Sequence, residues 1–304
     1  PNTGQFECFA HSRFSNSVNG TVIGRFCEDT YGHIWIASDD GGLSCFSPKD
    51  KHFTHYLPDE HGNSLSYHNV HALCMDGDDL WIGTYTGGVN VLNTKTGVFR
   101  VYTTKAGDST TLDRSSSYAI FKDREARIWV TSMSGVNLYN REEDNFTRIR
   151  DLGSWIMDID QDADGNIWFS SQGNGLFKYD PDKQEWTNYV HSNAPGALIN
   201  DQVNCVLIDG NGEMWIGTMN GLCKYNAKED QFELIPLDIP SSNICAIIED
   251  QRVLWLTTTK GLVRYAPEES CQVFTRSDGL QSEQFLVNAA LKASDGKIYI
   301  GSVN

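Results

Sequence analysis

The sequence is poor in basic residues and has no long apolar run, and each shortage excludes a class of protein. Only 24 Lys and Arg residues stand against 40 Asp and Glu residues, giving a formal net charge of -16. A field of that sign repels phosphate backbones, so we expect no nucleic acid partner. No apolar run approaches the ~20 residues that cross a bilayer, and the first residues lack the charged-then-apolar layout of a signal peptide. We therefore expect neither a membrane span nor an export signal in this stretch of chain.

Metal-binding patterns are also scarce. The eight cysteines lack paired CxxC spacing, and several occupy strand positions of the repeat described below, which favours buried free thiols over a zinc site or a disulfide framework. Residues Asp160 to Gly165 resemble the start of a calcium loop, but Ser171 stands where that loop needs Glu. The pair His68 and His71 falls on extended chain, where such spacing points two side chains to opposite faces. We expect no metal and no cofactor.

The sequence does contain an internal repeat of about 44 residues. An aromatic residue flanked by aliphatic residues recurs after a turn. Its seven copies are centred on Trp35, Trp81, Trp129, Trp168, Trp215, Trp255 and Tyr299. Each unit offers four short β-type runs separated by Gly, Asp and Asn, which is typical of a propeller blade. No stretch shows the three-and-four spacing of a helical solenoid.

The repeat predicts an all-β, seven-bladed β-propeller with four-stranded antiparallel blades. The run around each anchor is apolar at consecutive positions, as expected for a strand buried on both faces. The last blade is predicted to be split between the two termini, with about 287–304 pairing with 4–10, and in particular Lys297 to Gly301 with Phe6 to Phe9. The repeat thus predicts a single domain over 1–304. Because the seventh unit lacks a third strand, the chain is expected to belong to a longer protein.

Several segments resemble the two-component regulator propeller repeats of hybrid sensor proteins in Bacteroidetes. They are Asp164-Gly165-Asn166-Ile167-Trp168, Leu80-Trp81-Ile82-Gly83-Thr84 and Asn63-Ser64-Leu65-Ser66. The resemblance implies the second propeller of a periplasmic sensor region in an inner-membrane hybrid histidine kinase. It further implies an oligosaccharide ligand, an adjoining propeller and β-sandwich, and a homodimer in the full protein.

Two other classes of function stay open. No nucleophile elbow, phosphate loop or acid/base constellation is recognisable, so we expect no catalytic residues and no enzyme in this domain. Propeller enzymes can nevertheless build a site from residues on many blades, so a glycan lyase or glycosidase is one alternative. A protein-docking scaffold without a small ligand is the other.

A ligand is expected where the variable loops of the blades meet. Loops after the second strand and loops before the first strand emerge on one face of a propeller, and variable loops on a rigid scaffold favour binding. Amides and carboxylates bond sugar hydroxyls, while aromatic rings stack on sugar C–H faces. The candidate ligand-binding residues are Asp39, Asp40, Tyr85, Tyr118, Trp155, Gln172, Asn174, Asn204, Asn220 and Lys260.

Trp155 is the sharpest of these candidates. It precedes the first strand of its repeat, where the other repeats carry small, aliphatic or amide residues. We expect an exposed indole near Tyr118 and Gln172 that serves as a stacking platform for a pyranose. The alternative is that Trp155 packs against an adjoining domain of the parent protein.

Overall fold

A computed structural model of the chain describes residues 6–12, 16–60, 62–267 and 269–303. Its regular structure is almost entirely β-strand, with one 3-10 turn at Arg276–Asp278 among the described residues. Six sheets each contain four strands that are consecutive in the chain and antiparallel. These sheets are the blades of a β-propeller fold. Their strands group into two compact units.

The first unit, here called the N-terminal unit, contains Glu7–Trp155 together with Ala293–Asn304. Blade 1 contains β1 (Ile23–Glu28), β2 (Ile34–Ser38), β3 (Gly42–Ser47) and β4 (His52–Tyr56). Blade 2 contains β5 (Val70–Asp76), β6 (Asp79–Thr84), β7 (Val89–Asn93) and β8 (Val98–Tyr102). Blade 3 contains β9 (Ala119–Lys122), β10 (Ile128–Thr131), β11 (Gly135–Asn140) and β12 (Asn145–Asp151).

The second unit, the C-terminal unit, contains Ile156–Lys292 together with Phe6. Blade 4 contains β13 (Ile156–Gln161), β14 (Ile167–Ser171), β15 (Leu176–Asp180) and β16 (Glu185–Tyr189). Blade 5 contains β17 (Val203–Ile208), β18 (Met214–Thr218), β19 (Gly221–Asn226) and β20 (Gln231–Ile235). Blade 6 contains β21 (Ile244–Asp250), β22 (Val253–Thr258), β23 (Gly261–Tyr265) and β24 (Gln272–Phe274).

The prediction of seven blades is wrong, because the structure has six four-stranded blades. Among the described residues, the seventh repeat supplies only β25 (Phe285–Lys292) and β26 (Ile298–Ser302), which form a two-stranded sheet. The strand predicted at Phe6 to Phe9 is not formed, while residues 4 and 5 lie outside the described part of the chain. The ring of Phe9 instead packs on Phe46, with ring centroids 5.0 Å apart. The aromatic anchor marks the second strand of a unit and carries no information about its third and fourth strands.

The second strand of each complete blade carries the core, as its consecutive apolar residues predict. In β2, β10, β14 and β18 every residue is buried, and in β6 and β22 only the first residue is partly exposed. The anchors Trp81, Trp129 and Trp168 are among the largest fully buried side chains. Burial on both faces of a central strand explains why the sequence does not alternate there.

The turn between the first two strands is closed by an aspartate in four blades. In blade 4, Asp162 Oδ2 accepts a hydrogen bond from the indole Nε1–H of Trp168 at 2.7 Å. Its Oδ1 accepts the main-chain N–H groups of Asp164 and Asn166 at 3.0 and 2.9 Å. Asp29, Asp123 and Asp209 bond the indoles of their own blades in the same way. The segment from Asp160 to Gly165 is therefore a hairpin turn, and the carboxylate of Asp162 already accepts hydrogen bonds within its own blade.

Aspartates also join neighbouring blades within each unit. In the N-terminal unit, Tyr102 and Tyr139 both donate their hydroxyls to Asp144 Oδ1, at 2.5 and 2.6 Å. Tyr102 ends β8 of blade 2, whereas Tyr139 and Asp144 belong to blade 3, so the carboxylate ties the two blades together. The C-terminal unit repeats this arrangement between blades 4 and 5, with Asp230 in place of Asp144.

The structure describes all eight cysteines as thiols. Cys205, Cys223 and Cys245 are buried and serve as small apolar groups, as predicted for several of the cysteines, but Cys8 is exposed. Burial raises the pKa of Cys223 to about 11, which leaves its thiol protonated and unreactive at neutral pH.

Candidate functional site

The first strands of five blades contain an extra residue near their start. Their pairing with the second strand shifts by one position there, which is the mark of a β-bulge. A bulge re-aims the side chain of the extra residue relative to the regular pleat. The extra residues are Gly24, His71, Met157, Asn204 and Cys245. Among these, His71 and Asn204 bring polar side chains to the ends of their strands.

In the N-terminal unit, His71 belongs to a row of aromatic rings. Its imidazole lies between Tyr85 and Tyr118, with ring centroids 5.9 and 4.8 Å away. Tyr118 in turn stacks on Trp155, with centroids 5.2 Å apart and ring planes at 16°. Tyr85 and Trp155 are 42% and 40% exposed, so both ends of the row face solvent. We call Tyr85, His71, Tyr118 and Trp155 the aromatic row.

Asp39 adds a carboxylate to the aromatic row. Its Oδ1 accepts hydrogen bonds from Asn69 Nδ2 at 2.9 Å and from His71 Nε2 at 2.8 Å. Over the described ranges of the chain, Oδ2 of Asp39 receives no hydrogen bond, and the side chain is 48% exposed. One oxygen therefore fixes the carboxylate, and the other is open to a ligand.

Tyr118 supplies a hydroxyl donor beside this carboxylate. Burial, together with the smaller repulsion from the nearby Tyr85 and Asp39, raises the pKa of Tyr118 to about 12. Its side chain is 9% exposed. The phenol is consequently protonated at neutral pH and can donate a hydrogen bond to a ligand.

Asp40, predicted alongside Asp39, has a different role. Its carboxylate accepts hydrogen bonds from Thr21 N–H at 2.8 Å, Thr21 Oγ1 at 2.6 Å and Ser38 Oγ at 2.7 Å. Burial alone would raise the pKa of Asp40, but the hydrogen bonds from Thr21, Ser38 and Val22 outweigh it and lower the pKa to about 2. Asp40 is therefore a fixed, ionised part of its turn.

The other five predicted residues lie in the C-terminal unit and are described with it. Asn174, Asn220 and Lys260 occupy equivalent turns after the second strands of blades 4, 5 and 6. The main-chain N–H of each bonds the hydroxyl of Ser171, Thr218 or Thr258, at 3.0 to 3.2 Å. Gln172 is exposed and forms an isolated bridge with Gln202. Asn220 also lines a surface cavity of about 240 Å³ whose other walls are mainly apolar.

Asn204 is committed to a partly buried amide network. Its Nδ2 donates to Asn243 Oδ1 at 2.8 Å and to the carbonyl of Ile244 at 2.7 Å. The carbonyl of Asn204 accepts from Asn288 Nδ2 at 2.9 Å, and the same amide also reaches the carbonyl of Met157 at 2.9 Å. Asn288 is 7% exposed and has a left-handed φ of 56°. Asn288 lies in β25 of the seventh repeat, and its side chain therefore joins the bulged strands β13 and β17.

Sequence reasoning missed Asn69, His71 and Asn288. Asn69 and His71 are two residues apart in one strand region, which lets the Asp39 carboxylate bond both side chains. In the sequence, His71 attracted attention only for its spacing from His68, which resembles that of a metal-binding pair. Asn288 stands as far before Tyr299 as Gly24 stands before Trp35. That alignment would have placed it at the bulge position.

Comparisons with known proteins agree with this architecture. Residues 64–86 and 197–220 match the family described as "Two component regulator propeller". Histidine kinase P4 of Formosa agariphila is 24% identical over 211 residues, which cover 65% of this chain and 15% of the kinase.

Two solved structures from B. thetaiotaomicron share the fold. One is described as the extracellular domain of the hybrid two-component system BT3049; it has a TM-score of 0.81 at 21% identity, covering 98% of this chain and 41% of that one. The other, described as the extracellular domain of the one-component system BT4673, has a TM-score of 0.74 at 19% identity, covering 93% and 39%. This chain thus spans less than half of each relative.

Six four-stranded antiparallel blades in the described part of the chain, and the likeness to these structures, define a β-propeller fold. Two segments of the chain, 64–86 and 197–220, are thus similar to two-component regulator propeller repeats. Within the part of the chain that the structure describes, no helix is both long and apolar enough to cross a membrane.

Proposed function

We propose that the chain is a ligand-sensing region of an extracytoplasmic sensor, and that it binds an oligosaccharide at the aromatic row. The observation that carries the proposal is the stack of Trp155 on Tyr118, with the open oxygen of Asp39 in the same row. An exposed indole held by a second ring offers a flat surface to the C–H face of a pyranose. The carboxylate and the phenol bond hydroxyls at the edge of the sugar.

The signal is proposed to pass to a histidine kinase within a longer parent protein. Similarity to a histidine kinase and to extracellular domains of B. thetaiotaomicron signalling systems supports this context. In that setting the domain is periplasmic, adjoins a further propeller and a β-sandwich, and belongs to a homodimer of an inner-membrane protein. Binding would then change the contacts through which the sensor region controls its kinase.

A binding screen that also follows the fate of the sugar tests the proposal. The full-length protein is titrated with an oligosaccharide library, thermal unfolding reports binding, and chromatography reports whether each sugar is recovered intact. A ligand that binds only the native state raises the unfolding temperature in proportion to its occupancy. The proposal predicts at least one stabilising oligosaccharide that is recovered unchanged. Turnover would favour a glycan-degrading enzyme, and no stabilising sugar together with a tight protein partner would favour a docking scaffold.

A further inference from the structure

Asp39 presents its charge to the same space as the exposed rings. Its Oδ1 is held by Asn69 and His71, which fixes the carboxylate in place, while Oδ2 is open. The aromatic row is therefore accompanied by a carboxylate that is 48% exposed and has one oxygen left for a ligand.

We propose that the aromatic row selects uncharged sugar units and rejects uronic acid and sulfated units. This inference rests on the proposed function and adds the ligand's charge class. A sugar hydroxyl can donate to Asp39 Oδ2, whereas a carboxylate or sulfate has no proton to donate and brings a like charge. The neutral phenol of Tyr118 can donate a single hydrogen bond, which does not cancel the charge of Asp39.

The neighbouring charges act in the same direction. Asp40 follows Asp39 directly, and its hydrogen bonds keep it ionised down to a pKa of about 2. The whole chain has a formal net charge of -16, so the long-range field also disfavours anions. Like charges close together in a partly buried site are expected to lower affinity by about tenfold.

Matched sugar pairs test the selection. The probes are galactotriose, mannotriose and cellotriose, each measured against the trisaccharide oxidised to a carboxylate at every C6. Titration calorimetry on the full-length protein, at fixed salt and with chelator present, gives the ratio of the two affinities. The wild type is expected to bind at least one neutral trisaccharide about tenfold more tightly than its acidic counterpart.

Asp39→Asn is the diagnostic variant, because its amide oxygen can still accept from Asn69 and His71 while the charge is removed. The affinity ratio should fall below about threefold, chiefly through tighter binding of the acidic sugar. Glu143→Gln removes the same charge from the exposed turn between β11 and β12, and should leave the ratio unchanged. Equal or tighter binding of acidic sugars by the wild type, or an unchanged ratio in Asp39→Asn, would overturn the inference while leaving oligosaccharide sensing intact. Failure of every pair, neutral and acidic, would contradict the proposed function and the inference with it.

Discussion

Trp155 lies nearly flat against Tyr118, with ring centroids 5.2 Å apart and ring planes at 16°. One face of the indole is covered by this stack, and the side chain is still 40% exposed. Tyr118 is itself backed by His71, whose ring centroid is 4.8 Å away. The orientation of the exposed indole is therefore fixed by rings of the N-terminal unit itself.

Tyr118 is expected to support the indole with its ring and bond the ligand with its hydroxyl. Tyr118→Phe keeps the stack and removes the donor, so oligosaccharide affinity should fall by about fivefold. Tyr118→Ala removes both and should reduce affinity by at least tenfold more. Calorimetric titration of both variants measures the two steps separately. Equal losses in the two variants would show that the ring support has no effect on binding.

The indole-to-aspartate hydrogen bond predicts a difference between two buried tryptophans. Trp168 donates to Asp162, whereas Trp81 Nε1 is buried and has no hydrogen-bond partner among the residues that the structure describes. Replacing Trp168 with Phe should therefore cost more stability than replacing Trp81 with Phe, by about 1–2 kcal/mol. Urea unfolding of the two variants gives the comparison. A larger cost at Trp81 would contradict the importance of the aspartate turn.

The Asp144 contacts predict a dependence of stability on acid. Hydrogen bonds from Tyr102 and then Tyr139 lower the pKa of Asp144 below its ordinary value. A carboxylate more acidic in the folded state stabilises the protein above its unfolded pKa, and this contribution is lost as pH falls through the folded pKa. The stability difference between the wild type and Asp144→Asn should thus be largest near neutral pH and shrink below about pH 4.

Urea unfolding at pH 7 and at pH 3 measures that difference. Asp230→Asn is the matched variant in the C-terminal unit, because hydrogen bonds from Tyr189 and Tyr225 lower the pKa of Asp230 in the same way. The two variants should follow the same trend. A difference that does not change with pH would show that the carboxylate charge contributes nothing to joining the blades.

Asn288 predicts a graded loss of stability. Its buried amide satisfies the carbonyls of Met157 and Asn204, and its backbone adopts a left-handed φ. Asn288→Gly keeps the backbone conformation accessible and loses the hydrogen bonds, which should cost about 1–3 kcal/mol. Asn288→Ala should cost about 1 kcal/mol more because of the strained φ. Equal stability of Asn288→Gly and wild type, measured by thermal unfolding, would rule out this role.

The strands of the fold could be predicted from the sequence because a strand buried on both faces requires consecutive apolar residues. Leu80, Trp81 and Ile82 are consecutive apolar residues, and they lie in a strand buried at nearly every position. The blade count could not be read in the same way. Tyr299 carries the same local pattern, yet a blade needs three further strands, and the segment at Phe6 to Phe9 does not form one.

The candidate site was predictable in composition and not in detail. Tyr85, Tyr118, Trp155 and Asp39 stand at turn positions that the repeat identifies, and the aromatic row joins them. The different roles of Asp39 and Asp40 depend on whether Thr21 and Ser38 reach the carboxylate, which adjacent positions in a sequence do not reveal. His71 enters the row through a β-bulge, a one-residue irregularity with no fixed sequence signal.

Truncation of the exposed indole tests the proposed binding site most directly. Titration calorimetry compares wild type, Trp155→Ala and Tyr31→Ala in the full-length protein, using the oligosaccharide identified by thermal screening. Tyr31 is a matched control because it is 58% exposed and lies in the turn between β1 and β2. Trp155→Ala should weaken binding by at least ~1 kcal/mol with almost unchanged unfolding, while Tyr31→Ala binds as the wild type does. Normal oligosaccharide binding by Trp155→Ala would contradict the aromatic row as the ligand site.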